Sequence, residues 1–507
     1  METTPSIWME TTAGPAYPVL AQDVRVDVAI VGAGITGTTC ALLLKEAGKR
    51  VALIDARRVA SGVSGSTTGH LSQALDTRYH WLESKFGRDA TRLVAASTRR
   101  AIDHIAANAL GRNVNCAFEY LPGYLFAERP SEEDELEKEF AACERAGLKV
   151  TRGMAPLPFP TKGALIFPEQ AQFHPRAYLL PLIERIPGAG SHVFEGTRAI
   201  AIDDAEPCTI HTSVGPVVTA DHVVLATHAP LSNSILVETQ VSHYRSYAAA
   251  FSARQVPYGL FWDLADPYHY VRAHRFGEEF MLIVGGEDHK IGQQLDTRLA
   301  FERLAGYASR FSAEGIGTRW SADVIEPADG LPLIGADAGS ERVFVASGFS
   351  GDGLVLGTLA GMILSELCLK KSNPYAGLYS PGRTKPLSRL GSYLAENVEF
   401  PLHLLSDRLR GTESPDLRTL RPGEGRIVRH EGQRVAVARD ARGKLHAVSA
   451  VCSHLGCQVS FNSAEESWDC PCHGSRFDLE GTVLNGPATR ALTRHYLPER
   501  PPEKPSS

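Results

Sequence analysis

The sequence predicts two cofactor-binding units in one chain. The first is an α/β domain built on a Rossmann-like parallel sheet, with a mixed α+β substrate domain set into it; the second is a small C-terminal domain organised around a metal cluster. Three observations lead there. Residues 26–55 read as strand, glycine turn, helix and a second strand ending in an acid. Two apolar runs, His222–Thr227 and Arg342–Ser347, supply late strands for the same sheet. Four cysteines and two histidines crowd between positions 452 and 473.

Residues 1–23 form an N-terminal arm with Pro5, Pro15 and Pro18 and no basic patch leading into an apolar run, which is not a signal-peptide pattern. In VDVAIVGAGITGTTCALLLKEAGKRVALID, Gly32 permits a tight turn, Gly34 lets the backbone approach a pyrophosphate, and Gly37 lets helix pack closely on strand. Ala33 and Ile35 lie in the same phosphate loop, and the helix N-terminus faces the phosphates. Asp55, 23 residues after Gly32, is placed to accept hydrogen bonds from the adenosine ribose. Cys40 on that helix reads as a small buried hydrophobe.

This fingerprint alone does not separate NAD from FAD. The next segment, Ser61–His70, is a loop of glycines and hydroxyls in which Ser66, Thr67, Thr68 and Gly69 are suited to wrap phosphate and flavin edge. After the last late strand, Gly348, Phe349, Gly351 and Gly353 open a helix of small residues whose N-terminus can face a flavin ring. These features favour FAD.

Between the cofactor segments, Ser131–Gly147 reads as an acidic amphipathic helix with Ser131 as cap, Gly147 as terminator and its acids on a solvated face. Tyr178–Ile186, Arg198–Ile202 and Tyr244–Phe251 carry the apolar patterns of a mixed substrate domain. Asp266, His269 and His274 have the spacing of a 2-His-1-carboxylate iron site. However, the segment reads as strand, and residues five apart face opposite sides of a strand. The strand instead floors a substrate pocket, with Tyr268, Tyr270 or Arg272 reaching substrate; Arg272 suits a carboxylate or an ordinary salt bridge. His70 takes a pocket role in preference to a covalent tether.

Residues 371–415 are rich in Pro, Gly, Ser and Arg and read as an ordered connector that keeps a docked C-terminal domain near the flavin. In that domain, Cys452-x-His454 and Cys470-x-x-His473 supply two thiolates and two imidazoles, the ligand set of a Rieske [2Fe-2S] cluster. Histidine ligation places the potential at roughly −150 to +300 mV. Structural zinc uses the same residue types but usually spaces its first pair by two to four residues, as this chain does not. Cys457 and Cys472 lie in the two ligand loops, close enough in sequence to meet as a disulfide if both loops fold over one cluster.

With 507 residues, 43% hydrophobic and 22% charged, the chain accommodates about three domain-sized units. A net charge of −6 without a basic cluster gives nucleic acid or anionic lipid no purchase. The most apolar stretch, Leu354–Leu369, is broken by Gly357, Gly361, Ser365 and Glu366 and falls short of the ~20 residues of a membrane span. No integral membrane segment is expected. The five scattered cysteines suggest a reducing cytoplasm.

On these residues the chain resembles two families. CSHLGC and CPCHGSRFD, within residues 416–507, resemble the Rieske proteins of cytochrome bc1 and b6f type, which implies an all-β domain. The resemblance implies that Cys452 and Cys470 hold one iron, His454 and His473 the other, and Cys457 pairs with Cys472. It also places the Ser475 hydroxyl on a cluster sulfur, while Phe477 stands where the family commonly has tyrosine, which implies a lower potential. Residues 24–370 resemble the D-amino-acid oxidase and glycine oxidase family through GAGITG with Asp55, the SGVSGSTTG loop, Trp320 with DGLPLIG, and SGFSGDG. FAD-binding segments are expected at about 24–75, 190–230 and 320–370, with the substrate domain between them. The layout, including GGEDHK at 285–290, is similar to bacterial fusions of such a flavoprotein with a Rieske module.

The expected reaction is oxidation of an amine or amino acid by hydride transfer to FAD, the electrons leaving singly through the cluster to an external acceptor. The alternative is a flavo-iron-sulfur carrier or redox sensor with no small amine substrate.

Overall fold

The computed structural model describes residues 4–229, 231, 235–253, 256–277, 279–294, 296–311, 314–383, 412–413 and 417–497. Strand Val24–Val31 carries Arg25 and Asp27 at its start and is valine, alanine and isoleucine on both faces from Val28 on, the pattern of a strand buried between helical layers. It pairs in parallel with Val51–Ile54 and with Val217–Leu225, and the latter pairs in parallel with Val343–Ser347. Both late runs therefore join the dinucleotide sheet, which has eight strands. Helices Ile35–Glu46 and Gly353–Cys368 pack against each other beside this sheet. Gly37 is required by the close approach of helix Ile35–Glu46 to the glycine turn before it, because a Cβ there would sit 1.9 Å from the Gly32 carbonyl oxygen. Among the described residues, only the helix over Ser350–Cys368 is long and apolar enough to cross a membrane, and it is mostly buried in this core.

A second sheet of nine strands runs Glu314–Pro327, Val241–Ala253, Glu279–Lys290, His269–Phe276, Leu260–Asp263, Glu119–Ala127, Gly163–Gln172 and His70–Leu71, with Thr151–Gly153 branching from Gly163–Gln172. The two strands at 70–71 and 314–327 carry the chain from the flavin loop into this sheet and back. Two four-stranded sheets between 412 and 485 form the C-terminal all-β domain around a core that includes Trp468 and Phe477, both 0% exposed.

Three expectations are corrected. The acidic helix is Glu133–Ala146, preceded by a 3-10 turn at Pro130–Glu132 that contains Ser131, so Ser131 is not its cap. Nor is its acidic face all solvated: Glu139 is buried and accepts the backbone N–H groups of Tyr79 and His80. Segment 178–186 contributes to helix Pro175–Ile183, which packs on the dinucleotide helix Ile35–Glu46, and segment 198–202 to strand Ala199–Asp203 of the dinucleotide sheet, so neither belongs to the substrate domain. Gly147, with φ +88°, does end the acidic helix.

Residues 384–411 and 414–416 of the connector lie outside the described residues. Its first part is anchored: Tyr379 is fully buried with its hydroxyl 2.8 Å from Ser97 Oγ, and Arg383 pairs with Asp329 at 2.6 Å.

Candidate active site and cluster centre

One cavity of about 300 Å³ runs from the glycine turn across the flavin loop to the second sheet. Of the sequence-predicted cofactor residues, Gly32, Gly34, Ile35, Asp55, Ser66, Thr67, Thr68, Phe349, Gly351 and Gly353 line it. Ala33, Gly37, Gly69 and Gly348 stand behind the wall. Ala33 donates its N–H to Asp55 Oδ2 at 2.9 Å, and Arg57 N–H donates to Oδ1 at 2.8 Å. Each carboxylate oxygen keeps a second lone pair for a ribose hydroxyl.

Two observations test whether FAD fits. Helix Ile35–Glu46 has no side-chain cap at Gly34, so apart from the Ile35 N–H, which Ser64 Oγ accepts at 2.9 Å, its first-turn donors are left for phosphate. The flavin loop is held from behind by its carbonyls. Gly65 O accepts from Ser6 Oγ, Ser66 O from Trp320 Nε1 at 2.7 Å, and Thr67 O from Trp8 Nε1 at 2.5 Å. Thr68 O and Gly69 O accept from Arg272 Nη1 at 3.1 and 2.7 Å. Five consecutive carbonyls point away from the cavity, which leaves the Ser66, Thr67 and Thr68 side chains on its wall. The N-terminal arm is thus part of the flavin site: its helix Ile7–Thr11 seats Trp8 at 0% exposure.

The same contacts correct the substrate expectation for Arg272. It is 0% exposed, absent from the cavity wall, and turns Nη1 to Thr68 O, Gly69 O and Phe173 O and Nη2 to His274 Nδ1, with Nε buried and unpartnered. It pairs with no carboxylate among the described residues, so neither the substrate clamp nor the salt bridge is its role. Burial lowers its pKa to about 9.

His70, Tyr268 and Tyr270 do line the cavity, together with Trp262, Ser246, Asp76 and Asp352, which sequence reasoning did not find. His70 Nδ1 lies 3.0 Å from Thr68 Oγ1, and burial, then Arg272, depress the ring to about 3, so it is neutral. The iron-like spacing is not a site: His269 lies between Asp263 (3.0 Å) and Glu287 (3.3 Å), whereas His274 sits by Arg272 and Trp8.

The C-terminal domain brings its predicted ligands together. The thiols of Cys452 and Cys470 are hydrogen-bonded to each other, and that bond first, then the His454 N–H and the Ser475 hydroxyl, lower Cys452 to about 6 despite burial. The His454 and His473 rings stand 5.1 Å apart at 90°, and His454 Nδ1 is buried with no hydrogen-bond partner, as a nitrogen reserved for metal would be. Cys457 and Cys472 form a disulfide. The donor set fits a [2Fe-2S] cluster with two sulfur and two nitrogen ligands.

The two centres share walls. Residues 484–489 of the C-terminal domain line the flavin cavity, and within that loop the Ala488 N–H donates to Ser475 Oγ at 3.0 Å. His243 of the second sheet packs so closely on Gly474, beside the candidate ligand His473, that a Cβ at Gly474 would lie 2.2 Å from its Nδ1. A buried ion network ties the domains: Arg245 bonds Asp323 and Glu465, each at 2.5 Å, and Arg476 bonds Glu465 at 2.8 Å and Asp469 at 3.0 Å. No local sequence signal announces this network, because its members are nearly 80 residues or more apart on the flavin side and over 140 from the cluster side.

Comparison with known proteins agrees with this geometry. Residues 27–367 match the FAD dependent oxidoreductase family, and residues 413–496 match the Rieske [2Fe-2S] domain. The chain is 32% identical over 493 residues, 96% of each chain, to a protein of Bacillus subtilis named as the Rieske 2Fe-2S iron-sulfur protein YhfW. It is 24% identical over 372 residues to the gamma-glutamylputrescine oxidoreductase of Escherichia coli, covering 69% of this chain and 85% of that one. Its fold is shared with glycine oxidase from Geobacillus kaustophilus, at TM-score 0.62 and 20% identity, over 72% of this chain and all of that one. The chain belongs to the FAD dependent oxidoreductases, and carries a C-terminal Rieske domain that binds a [2Fe-2S] cluster.

Proposed function

We propose that this protein is an amine or amino-acid dehydrogenase that hands its electrons, one at a time, from FAD to the Rieske cluster and on to an external one-electron acceptor. The observation that carries this reading is the loop at 484–489, which walls the flavin cavity on one side and hydrogen-bonds the serine beside the cluster thiols on the other. Bound FAD supplies two-electron acceptance, and the cluster supplies single-electron release.

The chain's own residues bind and orient. Ser66, Thr67, Thr68, Gly34 and Asp55 are proposed to hold the dinucleotide, and Cys452, Cys470, His454 and His473 the irons. Tyr268, Tyr270, Trp262 and neutral His70 wall the substrate space, and their rings exclude water from it. A substrate C–N unit loses two electrons and two protons to become an imine, which water hydrolyses to a carbonyl and ammonia or an amine.

The test is anaerobic titration with amines and amino acids, following flavin absorbance and cluster paramagnetic resonance together. Flavin bleaching followed by cluster reduction supports the reading. Bleaching only by a reductant protein or NAD(P)H assigns the chain to electron carriage without an amine substrate.

A further inference from the structure

We propose that the substrate is an amine with a second, non-reacting positive charge, a diamine or polyamine lacking a carboxylate. The inference rests on the amine-oxidising reading above.

Carboxyl groups dominate the polar wall beside Tyr268 and Tyr270. Asp76 and Asp352 both line the cavity. The Gly351 N–H donates to Asp76 Oδ2 at 2.7 Å, and the Asp76 N–H donates to Asp352 Oδ2 at 2.9 Å, so the two loops present their acids together. The Tyr268 hydroxyl reaches Asp76 at 3.4 Å and a third acid, Asp288, at 3.3 Å. Burial raises the pKa of all three, that of Asp288 to about 7, and does so at Asp76 and Asp352 against the lowering effect of Arg78.

Two further observations bear on the site. Asp288, which is off the cavity wall and joined to it through the Tyr268 hydroxyl, has in Oδ1 a buried acceptor without a hydrogen-bond partner. Trp262 is 8% exposed and stands on the cavity wall, and its unpartnered indole N–H calls for a ligand acceptor, as a neutral amine nitrogen is. The arginines on the wall, Arg57 and Arg198, belong to the far end beside Asp55. Of the two arginines that stand two residues from the wall in sequence, Arg272 is committed to the flavin loop and Arg78 bonds the Leu75 carbonyl behind Asp76.

A substrate carboxylate here meets the Asp76 and Asp352 carboxyls and no cation on the adjoining wall, Arg78 acting on those acids from behind it, whereas an ammonium gains the acids and the faces of Tyr268, Tyr270 and Trp262. The nitrogen that is oxidised must be neutral to release hydride. The lasting positive charge that satisfies the acids therefore belongs to a second nitrogen.

The test is equilibrium binding to the oxidised, full-length holoenzyme, read from perturbation of the flavin absorption. Three amines without an α-hydrogen serve as probes, because none can be oxidised: 2,5-dimethylhexane-2,5-diamine, tert-butylamine and 2-methylalanine. The diamine is expected to bind about tenfold tighter than the monoamine and more tightly still than the amino acid. Asp76→Asn and Asp352→Asn are each expected to remove most of the diamine's advantage. Equal or tighter binding of 2-methylalanine to the wild-type enzyme overturns the inference, as does an unchanged diamine preference in both variants. In a parallel anaerobic panel, bleaching by amino acids but not by diamines sinks this inference alone. Bleaching by no amine of any kind sinks the reading beneath it.

Discussion

Glu238 of the flavoprotein unit places its carboxylate 3.3 Å from His454 Nε2, on the ring whose other nitrogen faces the cluster position. The acid is 4% exposed and the histidine 19%, so a negative charge is fixed next to the cluster inside the domain interface. Such a charge disfavours the incoming electron. Replacing Glu238 by Gln is expected to raise the cluster midpoint potential by on the order of 50–100 mV. A redox titration followed by paramagnetic resonance checks this, and an unchanged potential would show that the carboxylate is screened.

The interface network predicts both a stability and a pH effect. Burial raises Asp323, but Arg245 and then Arg476 pull its carboxyl well below the usual range, and Glu465 is lowered by the same two arginines against the same penalty. Carboxyls depressed in the folded state stabilise it fully above their unfolded pKa of about 4, and that stabilisation is lost as pH falls below it toward the folded values. Arg245→Met leaves two buried acids undercompensated and is expected to cost about 3–5 kcal/mol. Thermal unfolding between pH 7 and about pH 3 should show the wild-type advantage shrinking toward acid. A constant difference across that range would contradict the account.

The flavin loop is staged by donors behind it. Trp8→Phe keeps the ring and deletes the N–H given to Thr67 O, so FAD affinity should fall about fivefold, the worth of roughly 1 kcal/mol. Arg272→Met strips Thr68 O, Gly69 O and Phe173 O of their donor and should cost tenfold or more on the same principle. Flavin fluorescence during titration of the apoprotein measures both. Wild-type affinity in Arg272→Met would instead leave the substrate as that residue's business.

The Cys457–Cys472 link closes a 15-residue separation across the two ligand loops. The Cys457→Ser, Cys472→Ser double variant should lose about 3 kcal/mol of stability in the C-terminal domain. It should also shed iron faster, as seen in cluster absorbance over time. Retention equal to wild type would show that the loops are held by the flavoprotein interface alone.

The cofactor fingerprints were readable because each is local. Gly32 to Asp55 is one βαβ unit, and Cys452 to His473 is two loops of one small domain, so spacing alone carries the chemistry. The substrate wall was legible only in part. Tyr268 and Tyr270 follow from strand alternation, whereas Asp76, Trp262 and Asp352, with Asp288 behind Tyr268, meet only after two sheets and two loops close on one another. Arg272 misled for a physical reason: strand period assigns a face, but not what the far end of a long side chain touches, and here it touches carbonyls of a loop some 200 residues earlier. The arm's Trp8 carried no signal, since a lone tryptophan among prolines has no period to read.

The most direct test is a single-turnover experiment in which the substrate-reduced flavin and the cluster are followed after rapid anaerobic mixing, at several protein concentrations. Transfer within one polypeptide predicts that the cluster signal grows as reduced flavin decays, at a rate independent of enzyme concentration. A cluster that stays oxidised while flavin bleaches, or a rate that rises in proportion to enzyme, would contradict it.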